Sequence, residues 1–283
     1  MLASLIIVFR EVMEMAIIIS VLLAATQNIP GRKRWINIGI ISGIGGAFIL
    51  ALLMILFSSI FKGASKQVLN AIILFAATGL IAYTVIWMKQ HSQEFASRLK
   101  STGQAIISGQ ASLSMLSIIV GLAILREGSE IILFLYSIFI SNQTSIIALT
   151  SGALIGLALG LALSVLMYQG FIRLPLKQLF TVTSILLAFI AAGLASKATG
   201  KLISIDALPA IIPHIWDTSA LLSDHSLVGK FFAIMFGYND QPSAMQLIIY
   251  LAVLAIIFLT PAYLKNKNDK QDDNNQSIEN QPR

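Results

Sequence analysis

The chain has no cysteine, only three histidines, and few charges: Asp, Glu, Lys and Arg make up 11% of its 283 residues. Without cysteine there is neither a disulfide nor a thiolate metal ligand, and cysteine usage says nothing of the redox compartment. The scarcity of charge, set beside 57% hydrophobic residues and a mean hydropathy of +0.84, excludes a soluble domain of ordinary composition. The sequence reads as an all-α polytopic membrane protein. Its net charge of +6 does not mark a nucleic-acid partner, because the basic residues are scattered beside apolar runs, where they set orientation in the lipid bilayer. The first apolar run has no basic leader and carries charges at its centre, so it does not read as a cleavable signal peptide.

A spanning helix needs about 20 mainly apolar residues. Seven segments qualify, at residues 2–25, 36–61, 67–88, 113–140, 145–168, 178–198 and 245–264. The tail, residues 265–283, is rich in Asn, Gln, Asp and Lys and is expected to be disordered. Twelve Lys and Arg fall on the side of that tail and five on the other, which places the amino terminus outside and the carboxyl terminus in the cytoplasm. The longest loop, 199–244, is then external. It carries Asp206, Asp217, Asp224, Asp240, His214 and His225, which read first as turn residues and caps and second as a weak cation-collecting surface. Pro209, Pro213, Trp216 and Phe231 point to a loop partly folded against the membrane.

What the apolar background makes conspicuous is a repeated charged motif. Arg10-Glu11-Val12-Met13-Glu14 lies inside the first span and Arg126-Glu127-Gly128-Ser129-Glu130 inside the fourth. A charge at the centre of a spanning helix costs roughly 2.5 to 3.5 kcal/mol on insertion scales, so six of them require partners and a use. Arg126 follows Arg10 by 116 residues, and Ser42-Gly43 and Ser151-Gly152 open the next span in each half. The chain is therefore expected to be a 3+3 inverted repeat, residues 1–90 and 113–198, plus a C-terminal helix, because three spans per copy turn the second copy over. Gly152, Gly156 and Gly160, and Gly39, Gly43 and the Ser42/Gly46 pair, present the small-residue spacing that lets helices approach closely in lipid.

In a helix Glu11 and Glu14 share a face, with Arg10 one turn from Glu14, and Glu127, Glu130 and Arg126 repeat the arrangement. Four carboxylates against two guanidiniums leave an excess of two negative charges if all are ionised. Carboxylate oxygens suit hard or borderline cations, so Glu11, Glu14, Glu127 and Glu130 are candidate metal ligands, with Arg10 and Arg126 supporting them. Two rival readings stand at this point. Each motif can be a salt-bridge staple, although a staple needs one Glu per Arg. A membrane metalloenzyme is the other, but His91, His214 and His225 all lie outside the spans, and such sites usually recruit histidine.

The paired Arg-Glu-x-x-Glu motifs in the first and fourth of seven spans resemble the high-affinity iron permease family, which includes fungal iron permeases and the bacterial Efe-type iron and related lead permeases. Trp87-Met88, Phe180-Thr181-Val182-Thr183, Ala191-Ala192-Gly193-Leu194, Leu208-Pro209, Trp216-Asp217, Gly237-Tyr238 and Pro242-Ser243 are similar to the same family. The resemblance covers residues 1–264. It implies a permease of the cytoplasmic membrane, not an enzyme, that carries iron as its substrate without a resident cofactor. It also implies partners of the bacterial kind, an extracytoplasmic iron-binding lipoprotein and a haem peroxidase. The family commonly has Gly-Leu in the middle of the motif, where this chain has Val12-Met13 and Gly128-Ser129, positions that face away from the ligating side. Metal preference among iron, lead and manganese stays open, as does ferrous against ferric iron, because the acidic external motif of the fungal members has no close counterpart here.

Overall fold

In a bilayer a long apolar stretch has no water to bond its peptide groups, and helix is the form that satisfies them within one segment. The computed structural model describes residues 1–27, 29–108, 112–142, 145–168, 176–224 and 226–279. Among these residues it is all-helical, with α1 (Leu2–Ala25), α2 (Arg32–Ile60), α3 (Gly63–Ile107), α4 (Ser114–Asn142), α5 (Ile146–Tyr168), α6 (Leu176–Ile203), α7 (Leu227–Met235) and α8 (Ala244–Glu279). Among the described residues five helices, α2, α3, α5, α6 and α8, contain a stretch long and apolar enough to cross a membrane. Helices α1 and α4 are as long, at 24 and 29 residues, but each is interrupted by three charges. The faces that α2 and α5 turn outward carry Ile41, Phe48, Leu56, Ile147, Leu154 and Leu161, an apolar surface suited to lipid rather than water.

Two helices outrun their expected ends. Helix α3 continues to Ile107, where a loop is expected after residue 88, because residues 89–107 contain no proline and a single glycine, Gly103. Helix α8 continues past Pro261 to Glu279, where a disordered tail is expected from Lys265. Extending an established helix costs far less than starting one, and the polar tail contains no breaker between Pro261 and Glu279. The loop of residues 204–243 also holds a helix, α7, whose N-cap Ser226 accepts the Gly229 N–H at 2.9 Å.

Helix α2 packs along α4, α1 along α5, and α3 along α6. Glycine sets the first two crossings. A Cβ on Gly39 would stand 2.7 Å from the Ser117 carbonyl oxygen, and one on Gly43 2.8 Å from that of Gly121. On the other side a Cβ on Gly152 would collide with the Met1 carbonyl oxygen, and one on Gly156 would stand 2.5 Å from that of Leu5. Gly128 meets Ala47, and Gly160 meets Val12. All three α4 positions follow their α1 counterparts by 116 residues, and all three α5 positions follow their α2 counterparts by 113. The contacts thus match Gly39 with Gly152 and Gly43 with Gly156, one turn away from the Ser-Gly correspondence expected from the sequence.

Two apolar clusters fill the interior. One gathers Ala3 and Ile7 of α1, Leu74 and Ile81 of α3, Phe134 and Ile138 of α4, and Leu187, Ala191 and Leu194 of α6. The other gathers Ile18 and Leu22 of α1, Ile36 of α2, and Leu116, Val120 and Ile124 of α4. Residues before Arg10 therefore meet residues after Glu130, and residues after Glu14 meet residues before Arg126, so α1 and α4 cross antiparallel. The two charged motifs occupy the layer between the clusters.

Polar side chains tie the outer elements. Thr78 donates to the Ala191 carbonyl at 3.1 Å, joining α3 to α6, and Gln246 of α8 donates to the Ser196 carbonyl at 3.2 Å. Gln246 also closes a capping box with Ser243 at the start of α8. Gly237, at φ +69°, lies against Gly193 of α6 so closely that neither position has room for a Cβ.

Candidate metal site

The site is built from one turn of α1 and one turn of α4. Arg10 forks across both glutamates of its own motif: Nη1 donates to Glu11 Oε1 at 2.8 Å, and Nη2 lies 2.6 Å from Glu14 Oε1 as an ion pair without hydrogen-bond alignment. On α4, Arg126 Nε donates to Glu130 Oε1 at 3.2 Å and stands 3.8 Å from Glu127 Oε1. Arg10 and all four glutamates are buried, whereas the Arg126 side chain is 43% exposed.

Three of the four carboxylates come together. Glu11, Glu14 and Glu127 each offer an oxygen, and these atoms lie within 4.8 Å of one another. Each of the three has a buried oxygen that accepts no hydrogen bond: Glu11 Oε2, Glu127 Oε2, and Glu14 Oε1, which meets Arg10 only as the ion pair. Glu130 is not in that group; its Oε1 accepts from Arg126 and its Oε2 from the Thr84 hydroxyl of α3 at 3.3 Å. Clustered, buried carboxylate oxygens without donors are costly alone and favourable around a cation, and an all-oxygen set suits hard or borderline ions.

The sequence profile of the iron permease FTR1 family matches residues 1–266. The chain belongs to that family. Among its relatives, the ferrous iron permease EfeU of Yersinia pestis is 30% identical over 264 residues, covering 90% of this chain and 92% of the relative. EfeU of Escherichia coli O6:H1 (strain CFT073) is 30% identical over 262 residues, covering 90% and 94%. EfeU of Shigella sonnei is 30% identical over 260 residues, covering 90% and 91%. No solved structure matches the chain.

In this FTR1-family chain, Val12, Met13 and Gly128 at the middle of the motifs meet neighbouring helices. Val12 packs on Gly160 of α5, and the Ser164 hydroxyl of α5 points to the Met13 sulfur at 3.5 Å. Gly128 packs on Ala47 of α2, and the Ser129 hydroxyl donates to the Arg126 carbonyl at 2.6 Å. Val12, Met13 and Gly128 therefore fit the crossings rather than the carboxylate group.

Among the acidic residues of the 204–243 loop, Asp217 closes a turn. Asp217 Oδ1 accepts the Ser219 N–H at 3.0 Å and the Ser219 hydroxyl at 2.5 Å, and Oδ2 accepts from the Gln241 side chain at 3.0 Å. The Ser219 bonds, joined by that from Gln241, hold the Asp217 carboxyl below the usual carboxylate range. Asp240 accepts the Asp224 N–H at 3.2 Å, and Asp224 lies 4.0 Å from Lys197 Nζ. His225 lies outside the described residues.

Sequence reasoning missed Thr84 as part of the site, and took Trp87 only as a mark of resemblance. The Trp87 ring lies 5.8 Å from the Arg126 guanidinium carbon. Their spacing of three on α3 was the available signal, since it puts both on one face of an otherwise apolar span.

Proposed function

We propose that the protein imports ferrous iron across the cytoplasmic membrane, binding the partly dehydrated ion at Glu11, Glu14 and Glu127 near mid-depth. The observation that carries this reading is the trio of buried carboxylates with oxygens within 4.8 Å of one another, set between two apolar clusters where α1 and α4 cross. Four carboxylates and two guanidiniums leave two formal negative charges, which a divalent ion neutralises. The relatives' name, ferrous iron permease, points to the same ion. The arginines hold the carboxylates in place and limit their mutual repulsion when the ion has left.

The membrane arrangement in this proposal has seven spans, with α1 and α4 crossing despite their charges because those charges pair with one another. The amino terminus lies outside. Residues 1–90 and 113–198 form inverted repeats, a reading supported by the constant offsets of 116 and 113 residues at the glycine crossings. The two repeats move against each other to expose the ion first to one side and then to the other. An extracytoplasmic iron-binding lipoprotein and a haem peroxidase would meet the external face formed by residues 204–243.

A second reading, transport of manganese or lead, is favoured by the all-oxygen donor set, which discriminates poorly among such ions. Uptake of radio-iron into proteoliposomes, in ferrous and in ferric conditions and with manganese or lead as competitor, separates the two. Uptake that needs ferrous conditions and resists competition supports iron. Efficient competition by another metal moves the assignment to that metal.

A further inference from the structure

We infer that Thr84 is a positioning residue that holds Glu130 outside the cation group, so that three carboxylates bind the ion and the fourth stays in reserve. This inference rests on the transport reading above and extends it to a residue of α3.

Glu130 is chemically equal to the other three glutamates, is as buried as they are, and lies one turn beyond Glu127 on the same face of α4. Yet both of its oxygens are hydrogen-bonded, by Arg126 Nε and by the Thr84 hydroxyl, while Glu11 and Glu127 each keep one without a hydrogen bond and Glu14 keeps one that meets Arg10 only as an ion pair. Its counterpart in the first motif, Glu14, belongs to the open trio. Two motifs with the same charges therefore differ in structure, and the difference is supplied by α3.

Thr84 is 1% exposed and lies in an apolar span, where a hydroxyl must find an acceptor. Thr26, Thr78, Thr150 and Thr199 each donate to the carbonyl four residues earlier in their own helix. Thr84 instead donates across to the Glu130 carboxylate. Three residues further along α3, Trp87 sits beside the Arg126 guanidinium, so one face of α3 steadies both partners of the second ion pair. A transport site must bind its ion strongly enough to admit it and weakly enough to release it. Holding one carboxylate back keeps the ion from being trapped.

The test compares Thr84→Val, which keeps the shape and removes the donor, with Thr84→Ser, which keeps the donor. Ferrous-ion binding to the purified protein under anaerobic conditions and the KM and Vmax of uptake in proteoliposomes are measured together. Freed from Thr84, Glu130 can turn to the ion. In Thr84→Val, binding is expected to tighten and KM and Vmax to fall, each by roughly fivefold, the scale of one hydrogen bond. Thr84→Ser is expected to match the native protein. A merely misfolded variant would lose Vmax without tighter binding. Unchanged or weaker binding in Thr84→Val, or a Thr84→Ser that behaves like Thr84→Val, overturns the inference. Glu14→Gln run alongside keeps the two claims apart: if it abolishes binding while Thr84→Val is native-like, only the role of Thr84 fails, and if it binds and transports normally, the transport site itself is misplaced.

Discussion

Glu11 of α1 and Glu127 of α4 are 116 residues apart in the chain, and their carboxylate oxygens lie within 4.8 Å in the fold. They meet because two helices with the same charged turn cross antiparallel between two apolar clusters. Replacing Glu127 by Gln keeps the shape and removes one ionised ligand. Even outer-sphere partners of a metal typically contribute about 10- to 100-fold in affinity, so loss of at least about tenfold in ferrous-ion binding is expected, with unchanged helical content by circular dichroism.

The two arginines should not be equivalent. Arg10 is buried and bridges two carboxylates at 2.8 and 2.6 Å, whereas Arg126 is 43% exposed and pairs at 3.2 and 3.8 Å. A lysine ammonium cannot reproduce the fork. Arg10→Lys is therefore expected to lower the detergent-solubilised melting temperature and the uptake rate more than Arg126→Lys. Arg10→Met, which leaves buried charge unpaired, should cost about 3–5 kcal/mol. Equal effects of the two lysine variants would contradict the asymmetry.

Glycine at the crossings is required for its missing side chain. A Cβ on Gly156 would press on the Leu5 carbonyl at 2.5 Å, and one on Gly43 on Ile124 Cβ at 2.7 Å, while Gly45 has open space around it. Gly156→Ala and Gly43→Ala should each destabilise the purified protein. Gly45→Ala should be neutral or stabilising by up to about 1 kcal/mol, the helix-propensity difference. Thermal unfolding in detergent reads all three.

Asp217 serves its own loop. With both Asp217 oxygens engaged by Ser219 and Gln241, Asp217→Asn is expected to leave the KM for iron uptake unchanged. A several-fold rise in KM would restore the view of this loop as a cation collector.

Much of this site was legible in the sequence because charge inside an apolar run is so costly that six such residues have to belong together. Residues three and four apart then identified which of them share a face. The glycine contacts pair Gly39 with Gly152 and Gly43 with Gly156 by a constant offset, whereas Ser42-Gly43 and Ser151-Gly152 look alike locally, because which carbonyl of the facing helix each glycine meets is set by the packing. The extensions of α3 and α8 were missed because hydropathy marks where an apolar stretch ends, not where helical hydrogen bonding ends. The distinct state of Glu130 was invisible, because Thr84 reaches it only through the packing of α3 against α4; the spacing of Thr84 and Trp87 marks a shared face of α3, but not the helix it meets, and Thr78 in the same span bonds elsewhere.

The most direct measurement of the central claim is ferrous radio-iron uptake into proteoliposomes containing the purified protein, compared with Glu14→Gln and Glu127→Gln at equal amounts of folded protein. Binding of the ion across the α1–α4 crossing predicts uptake by the native chain and none above empty vesicles for either variant. Native-like uptake by either variant would contradict it.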